Sequence, residues 1–282
     1  MSHDFTALKN AVGSKSPVAT ETATPGPVAK LAATFNIAPP AAKPGEMLPP
    51  GWHDLFFGAL HRPDNMRADG QVLKSTWMPE IPLRFIRIGQ DRIEFPGEVR
   101  IGDELKRFTA IKEVSLTGGA DDPILRIWQR SETSGPRGLA VVEEREFVYY
   151  DKDPPATAPV PVLPAPVWQK PLEPSPVLMF RYSALRLNSH RIHYDRKYAM
   201  EEEGLPGLVV QSSLLGQLLL ELCRTSAPQR KIATFNRINR HPAYDTGMLT
   251  LAGAPSADGK GATMWAIDAT GSPCLHGEIA FG

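Results

Sequence analysis

Five polar residues fall close together in the chain: Asn188, His190, Arg191, His193 and Asp195. That is more polar chemistry than a turn requires. An imidazole is neutral and basic near pH 7, so His193 is suited to take a proton from water. Asn188 has no useful basicity, but its carbonyl can accept a hydrogen bond and hold that water in place. Arg191 can pair with a carboxylate, either Glu201 or Glu202 or a second carboxylate on a substrate. Asp195 is expected to cap a short helix running from Arg196 to Glu203.

Elements on both sides must position this loop. Phe180 to Ala184 reads as a short strand leading in. Gly204-Leu-Pro-Gly207 reads as a turn leading out. Beyond it, Leu214, Leu215, Leu218, Leu219 and Leu222 recur at the spacing of a buried helix face. Ser212 or Ser213 is the expected N-cap of that helix. Its N-terminus would offer unpaired backbone N–H groups and a positive dipole end, a place to stabilise a developing oxyanion.

The stretch resembles the motif of the MaoC-like hydratases and dehydratases of the hotdog superfamily, Tyr-Ser-x-x-x-x-Asp-x-Asn-Pro-Ile-His-x-Asp. Tyr182-Ser183, Ile192-His193 and Asp195 match it. Asn188 stands where the motif has Asp, and His190-Arg191 where it has Asn-Pro. The form Asn-x-His-Arg-Ile-His-Tyr-Asp, followed by Gly-Leu-Pro-Gly-Leu-Val-Val, is similar to mesaconyl-CoA hydratases and type 2 3-hydroxyacyl-thioester dehydratases. Residues 139–150 also look like that sub-branch.

The resemblance implies an α+β double hotdog, in which two long helices are each wrapped by an antiparallel sheet. It implies catalysis by His193 with Asn188. Backbone N–H groups from Val210 to Ser212, including Gln211, would face the thioester oxygen, with Gly207 allowing close packing over it. Arg237 and Arg240 are candidate partners for the phosphates of coenzyme A, or else exposed arginines on an edge strand. The expected activity is reversible hydration of an enoyl-CoA to a 3-hydroxyacyl-CoA. Thioester hydrolysis and acyl-CoA binding without turnover are the alternatives. No cofactor is expected beyond the coenzyme A carried by the substrate. The expected partner is an acyl-CoA or acyl-carrier thioester, with a homodimer possible.

The rest of the chain frames these expectations. It has 282 residues and a formal net charge of zero. No charge asymmetry points to nucleic acid or an anionic membrane surface. The longest apolar stretch is interrupted by Gln211, Ser212, Ser213 and Gln217, so it reads as no membrane span. Cys223 and Cys274 are too few for a disulfide scaffold, and a reduced, cytoplasmic protein is expected. No metal-ligand spacing or Gly-rich phosphate loop is present.

Three divisions are expected: a degenerate N-terminal half over 1–153, a stiff proline-rich linker over 154–176, and a C-terminal catalytic half over 177–282. In the first half, Val28, Leu31, Ala32 and Phe35 share one face of a short predicted helix. Alternating runs from residue 81 to 150 read as antiparallel strands. Leu48-Pro-Pro-Gly51 ahead of an apolar run looks like a degenerate repeat of the turn ahead of the leucine helix. That half has no Asn or Asp with His at the catalytic spacing. His53 is expected to be a structural helix residue.

Overall fold

A computed structural model describes residues 4–58, 60–152, 159 and 161–282. The expected linker residues 154–158 and 160 lie outside the described residues. In chain order the elements begin with α1 (Thr6–Asn10), β1 (Ala19–Thr22) and α2 (Pro25–Thr34). Then come β2 (Phe85–Glu94), β3 (Glu104–Gly119), β4 (Asp122–Gly135), β5 (Gly138–Tyr150) and β6 (Trp168–Leu172). The chain continues with α3 (Pro176–Arg186), α4 (Ser212–Ser226), β7 (Ile232–Asn239), β8 (Leu249–Pro255), β9 (Gly261–Ile267) and β10 (Pro273–Phe281).

All ten strands form one antiparallel sheet in the order β1-β3-β4-β5-β2-β7-β10-β9-β8-β6. Strands of the two sequence halves meet at its centre, where β2 pairs with β7 from Gln90 opposite Ile238 to Glu94 opposite Thr234. The sheet wraps α4, whose Leu214, Leu219 and Cys223 are fully buried. Removing each such leucine from water contributes about 1.5–3 kcal/mol.

Two expectations change here. Phe180 to Ala184 is helical, not a strand. Ser175 caps α3 by accepting the Leu178 N–H at 3.2 Å, and Pro176 sits in its first turn. Trp168–Leu172 is an edge strand on β8 inside the segment read as linker. Its Pro171 is tolerated because an edge strand has one unpaired side.

Among the described residues the first half also has no long helix. The apolar run after Pro49-Pro50 makes a single 3-10 turn, Trp52–Phe56. The short helix α2, with Val28, Leu31 and Ala32 buried as expected, packs nearby. The repeat is real in space but shifted in register. Leu48 N–H bonds the Val99 carbonyl at 2.8 Å, just as Val210 N–H bonds the Ala243 carbonyl at 2.8 Å. Thus Leu48 corresponds to Val210, not to Leu205.

Candidate active site

A cavity of about 850 Å³ opens between the halves. Asn188, His190, His193, Gln211 and Ser212 line one side, and Arg84, just before β2, with Phe85, Arg87, Phe147 and Tyr150 from β2 and β5 line the other. The sheet centre therefore brings a wall from the first half over the polar loop of the second.

His193 is buried in a one-turn 3-10 segment, Arg191–His193. Its Nδ1 stands 2.8 Å from the Val209 carbonyl oxygen. A carbonyl only accepts, so Nδ1 carries the hydrogen and Nε2 is left with a free lone pair. Burial lowers the pKa of His193 to about 4, against a smaller opposing effect of the Val209 bond. The ring is thus a neutral base of fixed tautomer.

His190 packs edge-on against it, with ring centroids 5.5 Å apart and planes at 86°. Burial first, then His193 and Arg67, push its pKa down to about 3. Asn188 lies in the cavity wall, but its Oδ1 accepts the His190 backbone N–H at 3.3 Å. The carbonyl expected to hold water is turned onto its own loop, as Asn side chains do in turns. The amide nitrogen is left without a partner among the described residues.

The start of α4 supplies donors. Its N-cap is Gln211, not Ser212 or Ser213, and no side chain caps it. The first-turn N–H groups have no carbonyl a turn earlier to bond. Val210 is not among the available donors, since its N–H is spent on Ala243. Gln211 and Ser212 remain in the wall. The Gln211 side chain ties α4 to α3, donating to the Met179 carbonyl at 3.0 Å and to Ser183 Oγ at 2.8 Å. Gly207 sits under the turn where Asp245 accepts the Leu208 N–H. A Cβ there would meet Asp245 Oδ1 at 2.7 Å, so this glycine serves the packing of its own turn.

Two expected ligand contacts, those of Arg191 and Arg237, are corrected. Arg191 points away from the cavity. Its guanidinium bonds Asp195 at 2.8 and 3.1 Å, donates to the Ala68 carbonyl at 3.1 Å and stacks on Tyr198. The pair is neither Glu201 nor Glu202. Asp195 also caps the following turn as expected, accepting the Tyr198 N–H at 3.1 Å. Arg237 is buried and paired with Asp91 at 2.6 Å, so it faces no coenzyme phosphate. Arg240 is 6% exposed and is not in the cavity wall.

The sequence also hid a brace. Loop residues Asp69 and Gly70 of the first half hold the polar loop: Arg191 N–H bonds the Asp69 carbonyl at 2.9 Å, and Ser189 Oγ bonds the Gly70 carbonyl at 2.7 Å. Nothing in the spacing of residues over a hundred positions apart signals this contact. The local hint was Asp69-Gly70, a turn-forming pair.

Among the described residues the first half has no matching site. At the positions corresponding to Gln211 and Ser212 stand Pro49 and Pro50, which have no N–H to offer an oxyanion. His53 is buried 3.3 Å from Glu143, in a 3-10 turn rather than a long helix. With Asp54 these groups lie close enough to suggest a cation site. Arg107 fills that role, bonding Asp54 at 2.8 Å and Glu143 at 2.9 Å. Glu143 is held to a pKa of about 2, with Arg107 and His53 outweighing its burial and the nearby Asp54 charge.

Comparison with known proteins gives the family and the fold. A mesaconyl-C(4)-CoA hydratase of Chloroflexus aurantiacus is 34% identical over 233 residues, covering 81% of this chain and 83% of that protein. A mitochondrial type 2 hydroxyacyl-thioester dehydratase of Schizosaccharomyces pombe is 27% identical over 212 residues, covering 64% of this chain and 69% of that protein. A Mycobacterium tuberculosis structure described as a double hotdog matches with a TM-score of 0.58 at 15% identity, covering 96% of each chain. That last likeness speaks to fold alone, and it supports the double hotdog. The family model for type 2 hydroxyacyl-thioester dehydratases matches residues 51–245, and the chain belongs to that family.

Proposed function

We propose that the cavity between the halves catalyses reversible addition of water to the double bond of an α,β-unsaturated acyl-CoA. The observation that carries this reading is the His193 Nδ1 bond to the Val209 carbonyl, which leaves Nε2 as a neutral base facing a cavity beside a helix N-terminus. His193 takes a proton from water as the water oxygen bonds the β-carbon. Charge moves onto the thioester oxygen, where the N–H groups at Gln211 and Ser212 and the positive end of α4 stabilise it. The proton then passes from His193 to the α-carbon.

Family membership and the two relatives support lyase chemistry on an acyl thioester. A short dicarboxylic acyl group is proposed from the Chloroflexus relative, whose name specifies mesaconyl-CoA. Anionic parts of such a substrate would meet Arg84, Arg87 and Lys152, which line the cavity, rather than Arg191, Arg237 or Arg240. Cytoplasmic residence and pairing with a second copy belong to the same proposal. Among the described residues no helix is long and apolar enough to cross a membrane.

Hydrolysis is less well served. It requires a carboxylate aimed at the carbonyl, and Glu221 on α4 is engaged by Arg224. The test is incubation with crotonyl-CoA and mesaconyl-CoA. Loss of enoyl absorbance without free thiol is the expected result. Free thiol would mean hydrolysis, and neither signal would mean binding alone.

A further inference from the structure

A water molecule adding to carbon must present one oxygen lone pair to the β-carbon, so both of its protons need acceptors to fix its orientation. His193 Nε2 is one. The Asn188 carbonyl faces the backbone of its own loop. What Asn188 offers the cavity is a donor, its amide nitrogen.

His190 lines the same cavity, with its ring set edge-on to His193 at a centroid distance of 5.5 Å. Neither of its ring nitrogens has a hydrogen-bond partner among the described residues, although the ring is only partly accessible. Its main chain is fixed from both sides: its N–H by Asn188 Oδ1, and its carbonyl by the His193 N–H at 3.2 Å. An imidazole held this firmly with no protein partner has one nitrogen free to accept from a cavity water.

We infer that His190 is the second acceptor for the nucleophilic water, so that a histidine pair orients it. The inference rests on the hydration reading. In the ground state the water gives one proton toward His193 Nε2 and the other toward a His190 nitrogen, and accepts from Asn188 Nδ2. Its remaining lone pair faces the substrate. As the carbon–oxygen bond forms, the double bond's π electrons move through the α-carbon to the thioester oxygen, and His193 takes its proton. The second proton stays on oxygen as the hydroxyl of the product, still bonded to His190. Collapse of the enolate takes the proton from His193 to the α-carbon, and water has been added with no other reactant.

The experiment compares wild type, His190→Phe, His190→Gln and the double variant His190→Phe with Asn188→Asp, using crotonyl-CoA. Phe keeps a ring against His193 but accepts nothing, and its kcat should fall about 100-fold, the scale of a misplaced nucleophile. KM should stay within about twofold, since the water is not part of the thioester's binding. Gln restores a carbonyl acceptor, and the Asn188→Asp change supplies a carboxylate in the same wall, so each should recover at least about tenfold of the loss. Where His190→Phe does not fold, His190→Ala with imidazole in the buffer makes the same comparison, with recovery of kcat expected.

A wild type that leaves the enoyl group unchanged would overturn the hydration reading and this inference together. An active wild type with unchanged kcat in folded His190→Phe or His190→Ala would overturn this inference alone. Gln211 Oε1, buried in the same wall without a partner, would then be the acceptor. Loss of activity without recovery by Gln, by the Asn188→Asp change or by imidazole would also overturn it, because a purely structural ring behaves in that way.

Discussion

Gly70 and Ser189 lie so close that one residue type is permitted at the first. Ser189 Oγ donates to the Gly70 carbonyl at 2.7 Å, and a Cβ on Gly70 would stand 1.8 Å from the Ser189 carbonyl oxygen. Gly70 also has φ +83°, a conformation that L side chains rarely adopt. The contact joins the first half to the loop that carries Asn188, His190 and His193. Gly70→Ala should therefore push that loop aside and reduce kcat/KM by about 100-fold. The left-handed conformation alone costs about 1–2 kcal/mol, visible in denaturation. Near-wild-type turnover in this variant would show that the first half does not set the loop.

His193→Ala should lower turnover by about two orders of magnitude or more, the usual contribution of a general base. Its folding should change little, because Val209 loses only one bond. Intact activity in the folded variant would remove the proposed mechanism.

The pH profile tests the same residue differently. His193 must be neutral to act, and burial depresses its pKa to about 4. The acidic limb of kcat/KM should thus lie near pH 4, with activity flat from pH 7 down to about 5. Stability has the matching sign. The unfolded chain takes up protons at its histidines first, near their ordinary value of 6.5. Stability is fully present above that value and falls as pH drops from 6.5 toward 4. An acidic limb near 6.5 would mean that the ring is wet in the free enzyme.

Arg191→Met should leave the ratio of specificity constants for mesaconyl-CoA and crotonyl-CoA unchanged. The guanidinium is taken by Asp195 and the Ala68 carbonyl, outside the cavity. Both substrates should lose a similar, modest factor as the loop loosens. A selective loss for the dicarboxylic substrate would place this arginine on the acyl group after all.

The leucine face, the polar loop and the helix terminus between them were legible in the sequence because each is a local pattern. Leu214 to Leu222 repeats at helical spacing, and His193 sits beside a recognisable turn. The side chains that failed to go where expected are the arginines. Spacing gives a residue's place along the strand, but not which charged group across the sheet will take it. Arg237 meets Asp91 from the other half, and that pairing exists only once β2 lies beside β7. The helix α3 was misread because Phe180 to Ala184 alternates like a strand. Ser175-Pro176, a cap followed by a first-turn proline, was the better signal. The missing helix of the first half was not legible: an apolar run after Pro49-Pro50 reads as a helix start, and the pairing of Asp54 with Arg107 from β3 exists only in the folded chain.

Arg237 gives the sharpest separation between a structural and a ligand-binding arginine. Its side chain is 3% exposed and that of Asp91 2%, and their atoms meet at 2.6 Å in the strand pair that joins the halves. The same guanidinium donates to the Ser212 carbonyl in the first turn of α4 and occupies the space that a side chain at Gly216 would need. Arg145, half-buried, also reaches Asp91, so Asp91 is the shared counter-charge of two arginines. Removing one partner of a buried pair costs about 3–5 kcal/mol, because the remaining charge stays in a poor solvent. Arg237→Met should lower the unfolding free energy by about that amount, measured by urea denaturation. In the folded fraction, KM for crotonyl-CoA should stay close to wild type while kcat falls as α4 shifts. A phosphate-binding arginine would do the reverse, raising KM and leaving stability alone, and that outcome would return Arg237 to the coenzyme site.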